Sequence, residues 1–262
     1  MNFFYFSDSG LSQVMTALWN ETSKRRPLII AHRAGAALAP ENTIGALNAA
    51  AAAGADAIET DVRKTSDGAL VCMHDADLRR LCGDTRAVAD VDLATLRSLL
   101  PAVMTLRDAL SASHPLGVLL DVKLMEEQHL SQIIGEIVLM DAVERTLLGL
   151  RDIGLIGAAQ DIMADIAVLA FLEKADSAPE ARRAGASWFR LWQGDATAER
   201  AAAVRDAGMR LAVMVGQPRT TPRAEYPPFP VGQADREGLE RLRTIAPDAI
   251  LLDDPRLAAA GP

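Results

Sequence analysis

Short hydrophobic runs rich in branched residues alternate along this chain with longer stretches in which Ala, Leu and Arg predominate. Runs of the first kind are typical of buried strands, and stretches of the second kind are typical of helices that expose one face. Their alternation predicts repeated βαβ units on a parallel sheet. We place eight strand runs, at residues 28–31, 57–62 continuing through a turn to 70–74, 117–123, 147–150, 166–172, 187–192, 210–215 and 249–253.

Eight such units indicate an α/β fold of the (β/α)8 type, a TIM barrel, which typically takes about 250 residues. The barrel would be a single domain over residues 27–262. The alternative is an open doubly wound sheet, which normally carries a glycine-rich turn after its first strand, whereas here that strand ends in His32 and Arg33. The predicted helices cover residues 43–53, 105–113, 126–142, 152–163, 174–184, 196–207 and 235–245, with a short one after Pro255.

Three segments lie outside the repeating pattern. Residues 1–26 form an N-terminal extension, in which a possible helix from Leu11 to Trp19 is expected to cover the bottom or side of the barrel. Residues 78–104 form a short insertion after strand 2. Residues 217–233 hold five prolines and therefore cannot be regular structure, which predicts either a functional lid or a disordered loop.

The charge of the chain narrows the class of partner. Its formal net charge is −8 and its isoelectric point is about 5.1. Neutralising nucleic-acid phosphates or anionic lipid needs clustered Lys and Arg, so we expect neither nucleic acid nor a membrane surface as a partner. No apolar run approaches the roughly 20 residues that cross a bilayer, so membrane insertion is not expected either. The oligomeric state does not follow from the sequence.

Two features predict a cytoplasmic protein with reduced thiols. Residues 1–6 are apolar, but no basic residue precedes them, and polar residues interrupt them before an export signal would be complete. Cys72 lies in an apolar strand run and Cys82 in an expected loop, and neither has the spacing of a metal ligand.

Carboxylates cluster where two of the predicted strands end. Residues i and i+2 of a strand face the same way, so Glu59 and Asp61 lie side by side, and Asp121 and Lys123 repeat the arrangement on the third strand. Oxygen ligands suit a hard divalent cation, Mg²⁺ or Ca²⁺, with Mn²⁺ as a further candidate. Lys123 would then bind a phosphate oxygen. The alternatives are carboxylates that are merely solvated, and a simple Asp121–Lys123 ion pair.

Two of the four histidines also lie where strands end. His32 follows the first strand and His74 ends the returning part of the second. Histidine titrates near neutrality, so this pair could supply an acid and a base for cleaving a phosphodiester, although each could also be structural. His114 and His129 fall in a loop and on a helix, and we expect both to face solvent. Barrel active sites are built at the carboxyl ends of the strands, where these groups would meet.

Several motifs occur in a fixed order along the chain. They are HR at 32–33, APENT at 39–43, GADAIETDV at 54–62, DG at 67–68, HD at 74–75 with Leu78 and Arg80, TLRDAL at 105–110, DVK at 121–123 and DDP at 253–255. In order and spacing this series resembles the glycerophosphodiester phosphodiesterase family. The resemblance is specific over residues 28–124, clear again over 248–255, and weak between.

The resemblance implies roles for individual residues. Metal ligands would be Glu59, Asp61 and Asp121, the general acid/base pair would be His32 and His74, and phosphate would be bound by Arg33 and Lys123. The substrate would be a glycerophosphodiester attacked at phosphorus by its glycerol 2-hydroxyl or by water, with release of an alcohol such as choline or ethanolamine. Residues 40–43 would shape the first loop, with Asn and Thr capping its helix, and we assign this segment no catalytic role.

Three departures from the family pattern bear on specificity. Ala34 stands where a glycine usually follows the His-Arg pair. Asp121 replaces the usual Glu, and an Asp here is also a feature of the related sphingomyelinase D group. Residues 213–217 replace a Trp-Thr-Val-Asn sequence, so the usual aromatic wall of the alcohol pocket is missing.

Other residues could fill that space. On the sixth strand Arg190 and Trp192 share one face. Trp192 could line the pocket and Arg190 could bind an anionic group, although both could also be ordinary packing residues. Arg151, just past the fourth strand, has the same two interpretations.

The predicted function is metal-dependent hydrolysis of a glycerophosphodiester to an alcohol and glycerol 3-phosphate. A sphingomyelinase D-like enzyme for lysophospholipid or sugar phosphodiesters, or a catalytically weak phosphodiester-binding barrel, are the alternatives.

Overall fold

A computed structural model of the protein describes residues 18–19, 26–219 and 222–259. The barrel predicted from the sequence is confirmed. Within the described residues, eight parallel strands form it and one further strand lies antiparallel at its side. The strands are β1 (Leu28–Ala31), β2 (Ala57–Lys64), β3 (Leu70–Cys72), β4 (Gly117–Val122), β5 (Thr146–Leu150), β6 (Ala167–Ala170), β7 (Trp188–Trp192), β8 (Arg210–Met214) and β9 (Ala249–Leu252).

The first strand closes the sheet. β1 pairs in parallel with both β2 and β9, which excludes the open doubly wound alternative. β3 is antiparallel to β2 and pairs with its last three residues, Val62 to Lys64, of which the last two extend beyond the pairing with β4. The run predicted to continue to residue 74 therefore ends as a strand at Cys72, and His74 lies in the connection that follows.

Helices follow the strands, as predicted, with ends one to four residues shorter. Most begin at a Thr or Asp whose side chain accepts a backbone N–H of the first turn, including Thr43, Asp152, Thr197 and Asp235. They are α1 (Ile44–Ala52), α2 (Arg79–Cys82), α3 (Leu93–Leu99), α4 (Leu106–Ala112), α5 (Gln128–Leu139), α6 (Ile153–Ile162), α7 (Ala178–Arg183), α8 (Ala198–Asp206), α9 (Arg236–Arg243) and α10 (Arg256–Ala259). None of the described helices is long and apolar enough to span a membrane.

Apolar side chains pack in two layers because strand residues alternate between the two faces of the sheet. Phe189 and Leu191 of β7 belong to the layer between strands and helices, whereas Trp188 belongs to the layer inside the barrel. The inward face of β7 is therefore the one that carries Trp188, Arg190 and Trp192. This places Arg190 and Trp192 on the side of the sheet that leads to the barrel mouth.

The floor of the barrel is made by a residue from outside it. The Trp19 ring meets the Trp188 ring edge to face at 5.8 Å, and Trp188 Nε1 donates to the Trp19 carbonyl. A Cβ on Gly117 would lie 2.8 Å from the Trp19 ring, so glycine is required there. Leu18 and Trp19 are helical and confirm the expected cover; the remainder of the helix predicted from Leu11 lies outside the described residues.

The two irregular segments are anchored differently. The insertion at 78–104 contains α2 and α3 and has a small core of its own, formed by Val71, Met73, Leu78, Val88, Val91 and Leu96. Within 217–219 and 222–233 there is no helix or strand, as the prolines predict. The Gln217 N–H donates to the Phe229 carbonyl and the Gly232 N–H to the Val215 carbonyl, so the described part of this loop is attached at its base.

Candidate active site

The carboxyl ends of the strands surround a cavity of about 320 Å³. Parallel strands in a closed barrel all deliver their last residues to the same end, so side chains far apart in sequence meet there. Every predicted site residue except Glu59 and Asp61 lines the cavity directly, and these two lie buried beside it. The lining residues are His32, Arg33, Arg63, His74, Asp121, Lys123, Arg151, Phe171, Arg190, Trp192, Met214, Pro218, Arg219 and Val231.

Three buried carboxylates form one cluster. Asp61 of β2 lies opposite Asp121 of β4 in the parallel register, and Glu59 lies two residues earlier on the same face. One oxygen from each of Glu59, Asp61 and Asp121 lies within 4.8 Å of the others. The three carboxylates that sequence spacing proposed as metal ligands are thus brought together.

The electrostatics of this cluster fit a divalent cation. Burial and the neighbouring Asp61 charge raise the pKa of Glu59 to about 7. Burial alone would raise the pKa of Asp61 too, but Lys123 and His74 hold it well below its usual range. The buried Asp61 Oδ1 accepts no hydrogen bond, although Lys123 Nζ lies 2.9 Å away. A cation bound by these oxygens would supply the missing partner and the missing positive charge.

Asp121 binds two cations of the protein itself. Its carboxylate forms ion pairs with Lys123 and with the guanidinium of Arg151. These charges keep the pKa of Asp121 low although burial opposes the shift. The Asp121–Lys123 pair considered from the sequence therefore exists, and Lys123 also faces the cavity. Arg151 directly follows β5. Its place at the end of a strand is the sequence signal that could have predicted its position in the site.

His32 is held by the last strand and by the loop at 217–233. Its Nδ1 lies 2.6 Å from Asp253 Oδ1. Burial would lower the pKa of His32, but the hydrogen bond to Asp253 and the charge of Glu59 raise it overall. Gly232 packs against this pair with φ +81, and a Cβ there would meet Asp253 Oδ1 at 2.1 Å. Sequence reasoning missed Gly232 because its role depends on a contact between remote segments.

His74 reaches the mouth by a different route from the one predicted. It follows the antiparallel β3, and the Met73 N–H donates to the Asp61 carbonyl, which brings the connection back over the barrel end. Its Nδ1 lies 2.7 Å from Asp75, which in turn binds Arg80. Burial lowers the pKa of His74, and Arg33 and Lys123 add to that effect. The two histidines therefore lie on one cavity with pKa values shifted in opposite directions.

Arg33 has the backbone and the free donors of a binding residue. Its φ is 50°, and its N–H donates to Glu59 at 2.7 Å. Nη1 bonds Glu41, whereas Nε and Nη2 are buried without any hydrogen-bond partner. Ala34, which departs from the family's glycine, adopts the left-handed φ of 62° that glycine would take more easily. Ala34 is therefore held in a backbone conformation that L residues seldom adopt.

The loop at 40–43 touches the site more closely than we predicted. Thr43 caps α1 as expected. Asn42 does not cap it; Asn42 Nδ2 donates to Asp61 Oδ2 at 3.0 Å, and its Oδ1 accepts from Thr60. Glu41 bridges Arg33 and Arg80. Both residues orient groups of the site, so the view that this segment only shapes the loop was too narrow.

The wall formed by β6 to β8 combines aromatic rings with guanidinium groups. Met214 occupies the position where the family pattern has an aromatic residue, and Phe171 and Trp192 line the cavity nearby. Arg190 lies over the Trp192 ring at 4.7 Å and over the Phe171 ring at 5.5 Å. Arg151 is 5.3 Å from the Phe171 ring centre. Arg190 and Trp192 thus both line the pocket.

The two remaining histidines lie away from the cavity. His114 is exposed, as predicted. His129 is not, because only 12% of its side chain is accessible and Lys64 lies against its ring. The expectation that His129 faces solvent was wrong, since helix α5 packs it against the extended end of β2.

Cys72 and Cys82 are both free thiols, although Cys82 lies in α2 and not in a loop.

Comparison with known proteins places this site in a family. The model of the glycerophosphoryl diester phosphodiesterase family matches residues 32–220. A probable glycerophosphodiester phosphodiesterase 1 of Mycobacterium tuberculosis is 42% identical over 80 residues, which are 30% of this chain and 29% of the relative. The human glycerophosphodiester phosphodiesterase 1 is 38% identical over 109 residues, covering 36% of this chain and 33% of the relative. The matches thus span about a third of these relatives' length.

Solved structures share the whole fold. A glycerophosphodiester phosphodiesterase from Agrobacterium tumefaciens superposes with a TM-score of 0.73 at 24% identity, covering 89% of this chain and 100% of the other. A phosphodiesterase from Oleispira antarctica, solved in complex with the product sn-glycerol-3-phosphate, gives a TM-score of 0.73 at 20% identity over 89% and 96% of the two chains. The family match over residues 32–220 includes all the predicted site residues, and the chain belongs to the glycerophosphoryl diester phosphodiesterase family.

Proposed function

We propose that this protein hydrolyses glycerophosphodiesters to an alcohol and glycerol 3-phosphate, with a divalent cation held by Glu59, Asp61 and Asp121. The observation that carries the proposal is one cavity that joins this carboxylate cluster to two histidines, each paired with its own carboxylate. Family membership supports it, and so does the product bound to the related phosphodiesterase of Oleispira antarctica.

The cation, Mg²⁺, Ca²⁺ or Mn²⁺, would polarise a phosphoryl oxygen and offset its negative charge. The free Nε and Nη2 of Arg33 would bind the phosphate, because two unpartnered buried donors are costly until an acceptor arrives. Lys123 would contribute a point charge from the opposite side. These three groups would fix the phosphorus atom between the two histidines.

His32 and His74 would exchange protons with the reacting oxygens. One histidine takes the proton of the attacking hydroxyl as its oxygen bonds to phosphorus, and the other gives a proton to the alcohol oxygen as the old P–O bond breaks. The attacking hydroxyl is that of water or the glycerol 2-hydroxyl; in the second case water then opens the cyclic phosphodiester. Opposite pKa shifts in the two rings suit such a division of roles.

The experiment is release of glycerol 3-phosphate from a panel of glycerophosphodiesters by chelated protein, before and after addition of each metal. We expect activity only with metal. Full activity after exhaustive metal removal would overturn the metal assignment, and no product with any metal would favour the binding-only barrel. Lysophospholipids and sugar phosphodiesters in the same panel test the sphingomyelinase D-like alternative, which Asp121 keeps open.

Metal binding has a readout that is independent of activity. Calorimetric titration with Mn²⁺ should show one site in the unsubstituted protein and none in Asp61→Asn. Asp161→Asn, an exposed change on α6, should bind like the unsubstituted protein. Equal binding by all three proteins would show that the cluster does not hold the ion.

A further inference from the structure

Arg190 is a buried cation for which the described part of the chain offers no carboxylate partner. It is 5% exposed, and no described carboxylate lies within the 4.0 Å of an ion pair. Within the described ranges its hydrogen bonds come from Nη2 alone, which donates to the carbonyls of Phe171 and Leu172 over 3.5 Å in each case. Burial lowers the pKa of Arg190 to about 10, which leaves it charged at neutral pH. A buried charge with so little compensation is expensive unless a ligand completes its environment.

The aromatic rings beside Arg190 hold it in place. The ring centres of Trp192 and Phe171 lie 4.7 and 5.5 Å from the Arg190 Cζ, so the guanidinium contacts both rings. Arg190 also lines the cavity, together with His32, His74 and Lys123. Its Nε and Nη1 make no hydrogen bond to any of the described residues, since both of its hydrogen bonds to them come from Nη2. The guanidinium of Arg190 therefore has donors left over and lines the cavity in which a substrate would lie.

The same wall carries further positive charge. Arg151 follows β5 and lies over the Phe171 ring, and Arg219, from the loop after β8, also lines the cavity. Arg219 lies 3.7 Å from Asp75 and is 44% exposed, so it is only weakly paired. Asp121 of the neighbouring β4 compensates Arg151, whereas Arg190 has no carboxylate within 4.0 Å among the described residues. The wall of β5 to β8 is thus cationic.

This arrangement disfavours a trimethylammonium group. Such a group binds well on the face of an aromatic ring, but here the faces of Trp192 and Phe171 are already in contact with guanidinium groups. A choline headgroup would meet Arg190 and Arg151 instead. Repulsion between the two guanidinium groups and a cationic alcohol should weaken its binding. The absence of an aromatic side chain at Met214 should weaken it further.

We propose that Arg190 determines specificity by binding a negatively charged group, a carboxylate or a phosphate, on the alcohol that leaves. The inference rests on the proposed function. In the proposed function the phosphate is bound by the cation, Arg33 and Lys123, and the glycerol arm of the substrate is neutral. An anionic partner for Arg190 would therefore come from the other arm of the phosphodiester. With phosphorus held at the carboxylate cluster, that arm extends across the cavity to the cationic wall.

Two substrates that differ by one carboxylate test this directly. Glycerophosphoserine is glycerophosphoethanolamine with a carboxylate added to the same alcohol. We expect kcat/KM for the serine ester to exceed that for the ethanolamine ester by about tenfold to a hundredfold, the usual effect of a hydrogen-bonded charge. Glycerophosphocholine should be the poorest of the three. A ratio near one, or a preference for choline, would overturn the proposal.

Variants then assign the preference to Arg190. In Arg190→Met the ratio of kcat/KM for serine to ethanolamine should fall toward one, and Arg190→Lys should restore part of it. Arg210→Met is the matched control, because Arg210 lies 5.5 Å over the Trp188 ring at the opposite end of the barrel; its ratio should stay that of the unsubstituted protein. If both Arg190 variants kept the native circular dichroism and an unchanged ratio of kcat/KM, Arg190 would have no role in substrate specificity.

The outcome separates this inference from the proposed function. If all three esters are hydrolysed without a charge preference, the phosphodiesterase proposal stands and the Arg190 proposal fails. If no ester is hydrolysed with any metal, the phosphodiesterase proposal fails. In that case calorimetry can still compare the binding of phosphoserine with that of phosphoethanolamine. Equal affinity for the two would reject the Arg190 proposal.

Discussion

The Nδ1 atom of His32 and the Oδ1 atom of Asp253 are 2.6 Å apart, although 221 positions of sequence separate the two residues. Each directly follows a strand, His32 after β1 and Asp253 after β9, and those strands are neighbours in the closed barrel. With Asp253 accepting the Nδ1 proton, Nε2 is the ring nitrogen left for the cavity. Barrel closure therefore orients this histidine.

Replacing Asp253 with Asn should lower the pKa of His32, because the carboxylate is a main cause of its raised value. NMR titration of the ring nitrogens in chelated protein measures the change. Turnover should fall by about tenfold to a hundredfold, as for other residues that orient a histidine. Asp254→Asn is the control, since Asp254 pairs with Arg256 at the surface. A His32 pKa that is equal in both variants would contradict the assignment.

The same pair should make stability depend on pH. His32 has a higher pKa in the folded state than its ordinary 6.5, so its protonation favours folding. That contribution is complete below pH 6.5 and is lost as the pH rises through the folded-state value. The difference in unfolding free energy between the unsubstituted protein and Asp253→Asn should therefore be larger in acid than in alkali. Urea unfolding at several pH values measures it.

Gly232→Ala should cost both stability and activity. A left-handed alanine costs about 1–2 kcal/mol, and its Cβ would also displace Asp253. Gly68→Ala is a matched control, because Gly68 has φ +88 with nothing within 4 Å of a Cβ. Chemical unfolding should show a greater loss for Gly232→Ala, and only this variant should lose turnover. Equal losses in both variants would mean that the contact with Asp253 is unimportant.

His32→Ala and His74→Ala should each lower kcat by roughly 100-fold or more, because each removes a group that transfers a proton. Circular dichroism should show that the fold is retained. His114→Ala, an exposed change, should leave kcat as it is. Similar kinetics for all three variants would show that the paired histidines are not the acid and base.

The two thiols should react very differently. Burial raises the pKa of Cys72 to about 12, so at pH 8 it stays a protonated, inaccessible thiol. Cys82 is exposed. A disulfide reagent such as DTNB should therefore release one equivalent from native protein and two after denaturation. Native Cys82→Ser should release none, and rapid reaction of that variant would show that Cys72 is accessible.

The strand pattern predicted the barrel because eight buried runs with intervening helices have few other solutions. It also brought Glu59, Asp61 and Asp121 together, since spacing of two residues fixes a face and parallel neighbours share an end. The approach of His74 could not be predicted in this way. An apolar run of three residues does not reveal whether it pairs in parallel or antiparallel, and here β3 lies outside the barrel.

Contacts made by irregular segments could not be predicted from the sequence. Asn42 has the residue type of a helix cap, yet its left-handed φ of 55° turns it toward Asp61. Gly232 lies in a proline-rich loop that has no periodicity to interpret. His129 lies on a helix, and Lys64 at the end of β2 lies against its ring. Each of these positions depends on tertiary neighbours and not on the local pattern.

The Trp19–Trp188 contact has a consequence for the order in which the molecule assembles. The two residues are 169 positions apart, so the barrel floor is among the most non-local features of the fold. A chain emerging from the ribosome cannot form the Trp19–Trp188 contact until β7 has been synthesised, and closing so long a loop is entropically slow. Trp19→Ala should therefore act mainly on the unfolding rate, and leave the early folding steps at the speed of the unsubstituted chain.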